Sequence, residues 1–181
     1  MRIILSGDLG AGKTTVSALL AQKLGFTEYY TGGIFREMAE EVGKTIEEFY
    51  AEMKDNPELE RTIDAEQERI IRKEDNIIVQ GRIAAFLAPE TPKFKVFFVC
   101  NPEEAAKRIQ KLPKYNHLTI EEIVKLNEGR VTTERERYRL LYPYIENHLD
   151  ESKFDLVIET SFATPAEVCE IIITNLPENL A

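Results

Sequence analysis

One short segment near the start of the chain, Gly7–Thr14, constrains the fold more than any other. It reads Gly-Asp-Leu-Gly-Ala-Gly-Lys-Thr, directly after the apolar run Ile3–Leu5 and directly before a helical pattern. This is the pattern G-x-x-x-x-G-K-[ST] in its usual context. Its glycines let backbone N–H groups wrap around an anion, because no Cβ obstructs the turn. The segment therefore predicts a strand, a phosphate-binding loop (P-loop) and a helix in succession.

The residue types of this loop predict how it binds a nucleoside triphosphate. Lys13 reaches the β- and γ-phosphates, and the Thr14 hydroxyl is the expected ligand of Mg²⁺. The helix that follows directs the positive end of its dipole toward the phosphates. The expected triphosphate-binding residues are Gly7, Asp8, Leu9, Gly10, Ala11, Gly12, Lys13, Thr14 and Thr15.

Size and charge limit what else the chain can be. Its 181 residues fit a single domain over 1–181 with a hydrophobic core. A formal charge of −9 argues against broad nucleic-acid or membrane-surface binding. The two cysteines, Cys100 and Cys169, are too few for a disulfide framework and are expected to be buried thiols. The strand pattern at the start leaves no room for a signal peptide, so we expect a cytoplasmic protein.

The apolar pattern predicts an α/β fold with a parallel sheet. Three of the predicted strands contain continuous apolar runs, which are typical of strands that are buried on both faces. Helical patterns alternate with the strands, and three of them start with a capping residue followed by proline, at Asn56, Asn101 and Thr164. The predicted strands are Arg2–Ser6, Glu28–Thr31, Asn76–Gln80, Lys95–Cys100 and Asp155–Glu159.

Two charged helical regions interrupt this alternation. Gly33–Lys73 lies between the second and third predicted strands, and Glu121–Leu149 precedes the last one. Insertions in a nucleotide-binding fold commonly carry the parts that bind an acceptor and close over the site. We therefore expect an acceptor-binding arm over 32–73 and a lid over 108–142.

The positions of five arginines give a second signal. Arg36 and Arg82 follow the second and third predicted strands, at the sheet edge where open α/β sheets bind ligands. Arg61 lies on a predicted helix, and Arg130 and Arg137 are two helical turns apart on one face. The planar guanidinium suits bidentate recognition of phosphate. Taken singly, each arginine is also typical of a surface salt bridge, so the joint pattern carries the interpretation.

Motifs occur in order along the whole chain: Gly7–Thr14, Thr31–Ala39, Asn56–Arg61, Gly81-Arg82, Arg130–Tyr138 and Asp155–Ser161. Together they resemble the cytidylate kinases, in the short form typical of archaea and some bacteria. The resemblance implies a three-layer P-loop fold with a five-stranded parallel sheet, helices on both faces, a short acceptor arm and a helical lid. It also implies transfer of the γ-phosphoryl group of ATP to CMP or dCMP, giving ADP and CDP or dCDP.

The resemblance also implies roles for residues outside the P-loop. Arg130 and Arg137, with Lys13, are the expected catalytic residues that stabilise the transferring group when the lid closes and excludes water. Arg137 also reaches the acceptor phosphate in the resemblance. The segment Ser161-Phe162 is expected near the adenine of ATP. The expected acceptor-binding residues are Arg36, Arg61, Arg82 and Glu134.

Three positions depart from the family pattern. Gln80 replaces an expected acidic residue that would orient the water shell of Mg²⁺. Ile83 replaces an aspartate that lies near the acceptor base in longer relatives, so base choice cannot be carried over from that contact. Asp8 lies inside the P-loop where many relatives have proline.

Other functions remain open at this stage. The acceptor is CMP or dCMP in the resemblance, but UMP or a non-nucleotide acceptor would use the same mechanism. A kinase-derived regulatory protein, weakened by Gln80, and an ATPase switch are the alternatives from other classes. We expect a monomer that binds ATP and a nucleoside monophosphate, with no nucleic-acid or membrane partner. His117 and His148 are expected at the surface, with no role in the reaction.

Overall fold

The computed structural model describes residues 1–44, 48 and 57–178. In this part of the chain five parallel strands form one sheet in the spatial order β2-β3-β1-β4-β5. The strands are β1 Arg2–Gly7, β2 Thr27–Tyr30, β3 Ile77–Gln80, β4 Phe94–Val99 and β5 Leu156–Glu159. The helices are α1 Lys13–Leu24, α2 Thr31–Glu41, α3 Pro57–Lys73, α4 Pro102–Gln110, α5 Ile120–Leu141 and α6 Pro165–Thr174.

The predicted fold class is confirmed, and each predicted strand matches an observed one to within a residue at either end. Thr31 begins α2 instead of ending β2, and Cys100 and Asp155 lie just outside their strands. Asn101 and Thr164 cap α4 and α6 through their side chains, as predicted. The helix start expected at Asn56 lies outside the described residues.

Helices cover both faces of the sheet, which explains why its strands are apolar throughout. Along β1, Ile3 and Leu5 face one side and Ile4 faces the other, as the alternation of a strand requires. Ile4 packs with α2, α3 and the end of α5, whereas Ile3 and Leu5 pack with α1 and α6. All three side chains are fully buried. Burial on both faces requires apolar side chains at every strand position, as the sequence indicated.

The strand order determines which loops meet. The strands are parallel and β1 lies in the middle, so the loop after β1 lies between the loops that follow β3 and β4. The segments after β2 and β5 flank this group at the outer positions. The P-loop therefore lies at the centre of the edge where ligands bind in open α/β sheets.

The long helix α5 is anchored at both ends. Thr119 forms a capping box with Glu122 at its start, and Ile123 packs against α4. Near its end, Tyr138 is buried in the main core. The helix ends at Leu141, two residues before Pro143.

The prediction that His148 is a surface residue is wrong. Its side chain is 2% exposed, and its ring lies edge-on to Tyr138 with ring centroids 5.0 Å apart. Burial, together with the positive charges of Arg82 and Arg135, lowers the pKa of His148 to about 4, so the ring is neutral near pH 7. His117 is exposed, as expected.

The structure also bears on the state of the cysteines and on the length of the apolar helices. Cys100 and Cys169 are both buried free thiols, as expected. None of the helices described has the length and apolarity needed to span a bilayer.

Candidate active site

A cleft of about 1690 Å³ runs along the carboxyl edge of the sheet. The P-loop forms its floor, and the segments that follow β2, β3 and β5 form part of its walls. Helix α3 lines one side of the cleft. Helices α4 and α5 line the opposite side and the top of the cleft. The cleft therefore collects side chains from almost every element that the sequence associated with ligand binding.

Two glycines of the P-loop are required by its geometry. Gly7 has a φ of +129°, and a Cβ there would lie 2.3 Å from the carbonyl oxygen of Phe98. Gly10 has a φ of +74°, and a Cβ there would lie 2.7 Å from the carbonyl oxygen of Ala105. Any other residue at either position would both strain the backbone and collide with it. The loop thus fits tightly against β4 and α4.

The start of α1 is arranged to receive an anion. Gly12 caps the helix, and no side chain bonds to the first backbone N–H groups. By contrast, side chains cap α4, α5 and α6. The first N–H groups of a helix lack partners within the helix, and the dipole favours negative charge there. Leu9 to Thr15 line the cleft at this point.

Asp8 has a structural contact that accounts for its departure from the family pattern. Its side chain accepts a hydrogen bond from the backbone N–H of Cys100 at 3.0 Å, and its own N–H donates to Phe98 at 2.8 Å. Both bonds fasten the P-loop to the end of β4. Gly7 and Asp8 lie at the base of the loop, below the residues that line the cleft.

Lys13 lies against the backbone of its own loop. Its ammonium donates to the carbonyl oxygens of Gly7, at 2.9 Å, and of Asp8. Burial is the main cause, and the nearby Arg82 guanidinium the second, of a pKa lowered from 10.5 to about 7. A phosphate beside the ammonium would favour its charged form. An anion bound in the loop would therefore raise the pKa of Lys13 and keep its ammonium protonated.

Thr14 and Gln80 form the part of the cleft where the sequence predicted a metal. The Gln80 amide donates to the Thr14 hydroxyl at 3.1 Å, and its Oε1 atom is buried without a partner in the described structure. The described residues contain no cluster of three or more acidic, histidine or cysteine ligands. Mg²⁺ fits such a site, since it retains several waters and needs few protein ligands beside substrate phosphates. The buried Oε1 atom of Gln80, which has no partner in the described structure, would suit a hydrogen bond from such a water.

Arg82 connects the P-loop to α5. One guanidinium nitrogen donates to the Gly7 carbonyl at 2.9 Å, and Nε lies 3.2 Å from Glu134 Oε2 in an ion pair. The Arg82 and Glu134 side chains are only 19% and 13% exposed. Limited contact with water reduces the screening of this pair relative to a surface one.

Helix α5 presents one face to the cleft. Arg130 and Arg137 line the cleft from that face, as their spacing predicted, and Thr133 and Glu134 lie beside them. The Arg137 guanidinium lies 5.3 Å from the centre of the Tyr138 ring. Two arginines of α5, with Glu134 between them, therefore line the cleft together with the P-loop.

The other two predicted acceptor-binding arginines lie on the helical arm. Arg36 lies in α2, and its side chain is outside the described part of the structure. Arg61 is exposed on α3, where it forms an ion pair with Glu58 at 2.8 Å, and it does not line the cleft. The structure thus brings Arg82, Arg130 and Arg137 to one cleft and leaves Arg61 outside it.

Sequence reasoning missed Asp64, Gln67 and Arg108, which also line the cleft. Arg108 donates to the Thr160 and Ser161 carbonyls and so joins α4 to the loop after β5. A signal for the other two exists in hindsight. Asp64 and Gln67 are polar residues on the buried, otherwise apolar face of α3, a position that usually requires a specific partner.

Comparison with known proteins gives independent evidence for the family to which the chain belongs. The model of the cytidylate kinase-like family matches residues 2–162. A cytidylate kinase of Thermoplasma volcanium is 33% identical over 98% of this chain and 92% of its own length. Those of Archaeoglobus fulgidus and Thermococcus kodakarensis are 33% and 37% identical, covering 96% and 94% of this chain and 93% and 84% of theirs.

Solved structures support the fold alone. Shikimate kinase from Bacteroides thetaiotaomicron has a TM-score of 0.63 at 20% identity, covering 99% of this chain and 98% of its own. Shikimate kinase from Acinetobacter baumannii has the same TM-score and identity, covering 96% of this chain and 90% of its own.

The family match and the cleft around the P-loop lead to the same conclusion. The chain belongs to the cytidylate kinase-like family and is an ATP-dependent phosphotransferase.

Proposed function

We propose that the protein transfers the γ-phosphoryl group of ATP to CMP or dCMP, giving ADP and CDP or dCDP. The observation that carries this proposal is the single cleft in which Arg82 contacts both the P-loop and the lid helix α5. Phosphoryl transfer requires alignment and charge stabilisation more than covalent chemistry. A cleft lined by the P-loop and by Arg82, Arg130 and Arg137 supplies both. The names of the archaeal relatives support the choice of acceptor.

In this proposal ATP lies on the β4 and β5 side of the cleft. The phosphates bind the backbone N–H groups of Leu9 to Thr15, which line the cleft, and the ammonium of Lys13. The adenine lies toward Ser161-Phe162, where the Phe162 side chain is 87% exposed between β5 and α6. Thr14 would hold Mg²⁺ beside the phosphates, where the ion would supply positive charge against the charge that develops during transfer. Gln80 Oε1 would accept a hydrogen bond from a water of the metal.

The acceptor lies on the opposite side, beside the segments that follow β2 and β3. Arg82 binds its phosphate, and Glu134 contacts its sugar. Arg36 and Arg61, on the proposed arm over 32–73, complete the phosphate contacts. Arg61 exchanges its ion pair with Glu58 for the acceptor, at low cost, because an exposed pair contributes only about 0–1 kcal/mol.

The proposed lid over 108–142 completes the site. Its closure brings Arg130 and Arg137 onto the transferring group and excludes water, which would otherwise hydrolyse ATP. The protein acts as a monomer in this account, since all the proposed contacts come from one chain.

An ADP-release assay with ATP and Mg²⁺ tests the proposal, using CMP, dCMP, UMP or no acceptor. We expect release to be fastest with CMP or dCMP and lost in Lys13→Ala. Faster release with another acceptor would keep the mechanism and change the substrate. Release without an acceptor would favour an ATPase switch, and no release in any reaction would favour a regulatory protein.

A further inference from the structure

Glu134 and Arg82 form an ion pair inside the cleft. Arg82 Nε lies 3.2 Å from Glu134 Oε2, and the two side chains are 19% and 13% exposed. The Glu134 Oε2 atom is buried, yet it has no hydrogen-bond partner among the described residues. The two charges are therefore close together without a well-aligned hydrogen bond between them. Such a pair is weaker than one that is joined by a directed N–H···O bond.

The carboxylate of Glu134 covers the side of Arg82 that a phosphate would use. The Nη1 atom of Arg82 donates to the carbonyl oxygen of Gly7 at 2.9 Å, which holds the guanidinium at the base of the P-loop. The Nε atom belongs to the side of the guanidinium that offers two parallel N–H groups to two oxygens of one phosphate. Glu134 lies against this atom and lines the cleft. A phosphate that binds Arg82 in this way must therefore displace the carboxylate.

The charge of the phosphate decides how well it displaces Glu134. A phosphate monoester such as CMP carries a charge of about −1.5 to −2 near pH 7 and has three free oxygens. The carboxylate of Glu134 carries a single charge, and its Oε2 atom has no aligned hydrogen bond to lose. The more highly charged group, with two parallel hydrogen bonds, therefore competes favourably for Arg82.

Transfer of the phosphoryl group reverses part of this advantage. An oxygen of the acceptor phosphate forms a bond to the γ-phosphorus of ATP, and the bond from that phosphorus to the bridging oxygen breaks, which leaves ADP. The phosphate at Arg82 is then the inner phosphate of CDP, which keeps one negative charge and two free oxygens. Its attraction to Arg82 is weaker, so Glu134 competes more strongly for the same guanidinium.

We infer that Glu134 and the acceptor phosphate occupy Arg82 in turn, and that this exchange favours release of the diphosphate product over release of the monophosphate substrate. The inference rests on the proposed function. Glu134 is a positioning residue in this role, because it acts through Arg82. Once displaced, its carboxylate is available for the proposed contact with the acceptor sugar, and its return to Arg82 withdraws that contact from the product.

The test measures the dissociation constants of CMP and CDP by calorimetry, for the wild type and for Glu134→Gln. ADP fills the donor side and EDTA removes Mg²⁺, so that CDP binds only on the acceptor side and no transfer takes place. The amide keeps the shape of the side chain but removes the competing charge. Because CMP and CDP have the same sugar, loss of a sugar contact cancels in the ratio of their dissociation constants. We expect the CDP-to-CMP ratio to fall about 3- to 10-fold in the variant.

Glu136→Gln is the matched control. Glu136 is exposed on the same helix and does not line the cleft, so the same change of charge should leave the ratio as in the wild type. If Glu134→Gln does not fold, Glu134→Ala replaces it, because it also removes the competing charge. That variant should lower the ratio in the same direction.

The outcomes separate this inference from the proposed function. An unchanged or higher ratio in Glu134→Gln would overturn the inference, and equal weakening of CMP and CDP is the form of that result that would assign Glu134 to the sugar alone. A lower ratio in a protein that transfers no phosphoryl group to CMP would support the exchange at Arg82 and contradict the proposed function. Failure of the wild type to bind either nucleotide would contradict both.

Discussion

Arg82 Nε lies 3.2 Å from Glu134 Oε2, in an ion pair that joins the segment after β3 to α5, the helix that we propose as part of the lid. The same guanidinium donates to the Gly7 carbonyl at the base of the P-loop. One side chain therefore connects the floor of the cleft to its top. An acceptor phosphate would compete with Glu134 for this guanidinium, which couples acceptor binding to the position of α5.

Replacement of Arg82 by Ala should reduce use of the acceptor more than binding of ATP. A charged hydrogen-bond partner of phosphate contributes about 1.5–3 kcal/mol, so kcat/KM for CMP should fall roughly 10- to 100-fold. ATP affinity should change much less, as measured by calorimetry. Arg69→Ala is the control, because Arg69 pairs with Glu66 on the exposed face of α3. A larger effect on ATP than on CMP would show that the assignment of Arg82 is wrong.

Replacement of Lys13 by Ala should remove most of the phosphoryl transfer. The loss of a preorganised cation at the phosphates corresponds to about 10²- to 10³-fold in kcat. Steady-state kinetics with CMP measures it, and Lys23→Ala, which affects an exposed pair with Glu170, serves as the control. Turnover near that of the wild type would contradict the role proposed for the P-loop lysine.

Replacement of Gln80 by Glu should raise the affinity of the site for Mg²⁺. A carboxylate beside Thr14 holds the waters of the metal more strongly than an amide, and outer-shell partners affect metal affinity by roughly tenfold or more. The Mg²⁺ concentration for half-maximal transfer should therefore fall. An unchanged Mg²⁺ titration would mean that Gln80 does not contact the water shell.

His148 should make the protein less stable in acid. The folded-state pKa of His148, about 4, lies below its usual value of 6.5, so the unfolded chain binds more protons between these values. The free energy of unfolding should therefore fall as the pH falls from 6.5 to 4, by about 3 kcal/mol at most from this group. Urea unfolding of the wild type and His148→Gln at pH 7.5, 6 and 5 measures the difference. Identical acid dependence in the two proteins would rule out this contribution.

The sequence was sufficient for the parts of the fold that depend on local patterns. The run Ile77–Val79 predicts a strand that is buried on both faces, and the structure covers both faces with helices. Gly7–Thr14 identifies its own loop because the glycine spacing has a direct geometric cause. Asn101 and Thr164 bond to backbone groups two or three residues further along the chain, so their capping was also predictable.

Features that depend on distant contacts were not predictable. His148 is buried because the chain after α5 returns to the core beside Tyr138, which no local pattern indicates. Asp64 meets Tyr142 across 78 residues of sequence. Arg61 and Arg82 have the same side chain, and only the tertiary structure shows that Arg82 lines the cleft whereas Arg61 is exposed.

The most direct test of the account is transfer of label from [γ-³²P]ATP to CMP, followed by separation of the products. The account predicts labelled CDP in the presence of Mg²⁺, with little label transferred by Lys13→Ala. Label that appears as inorganic phosphate, at a rate independent of CMP, would contradict the central claim that the cleft aligns two nucleotides for phosphoryl transfer.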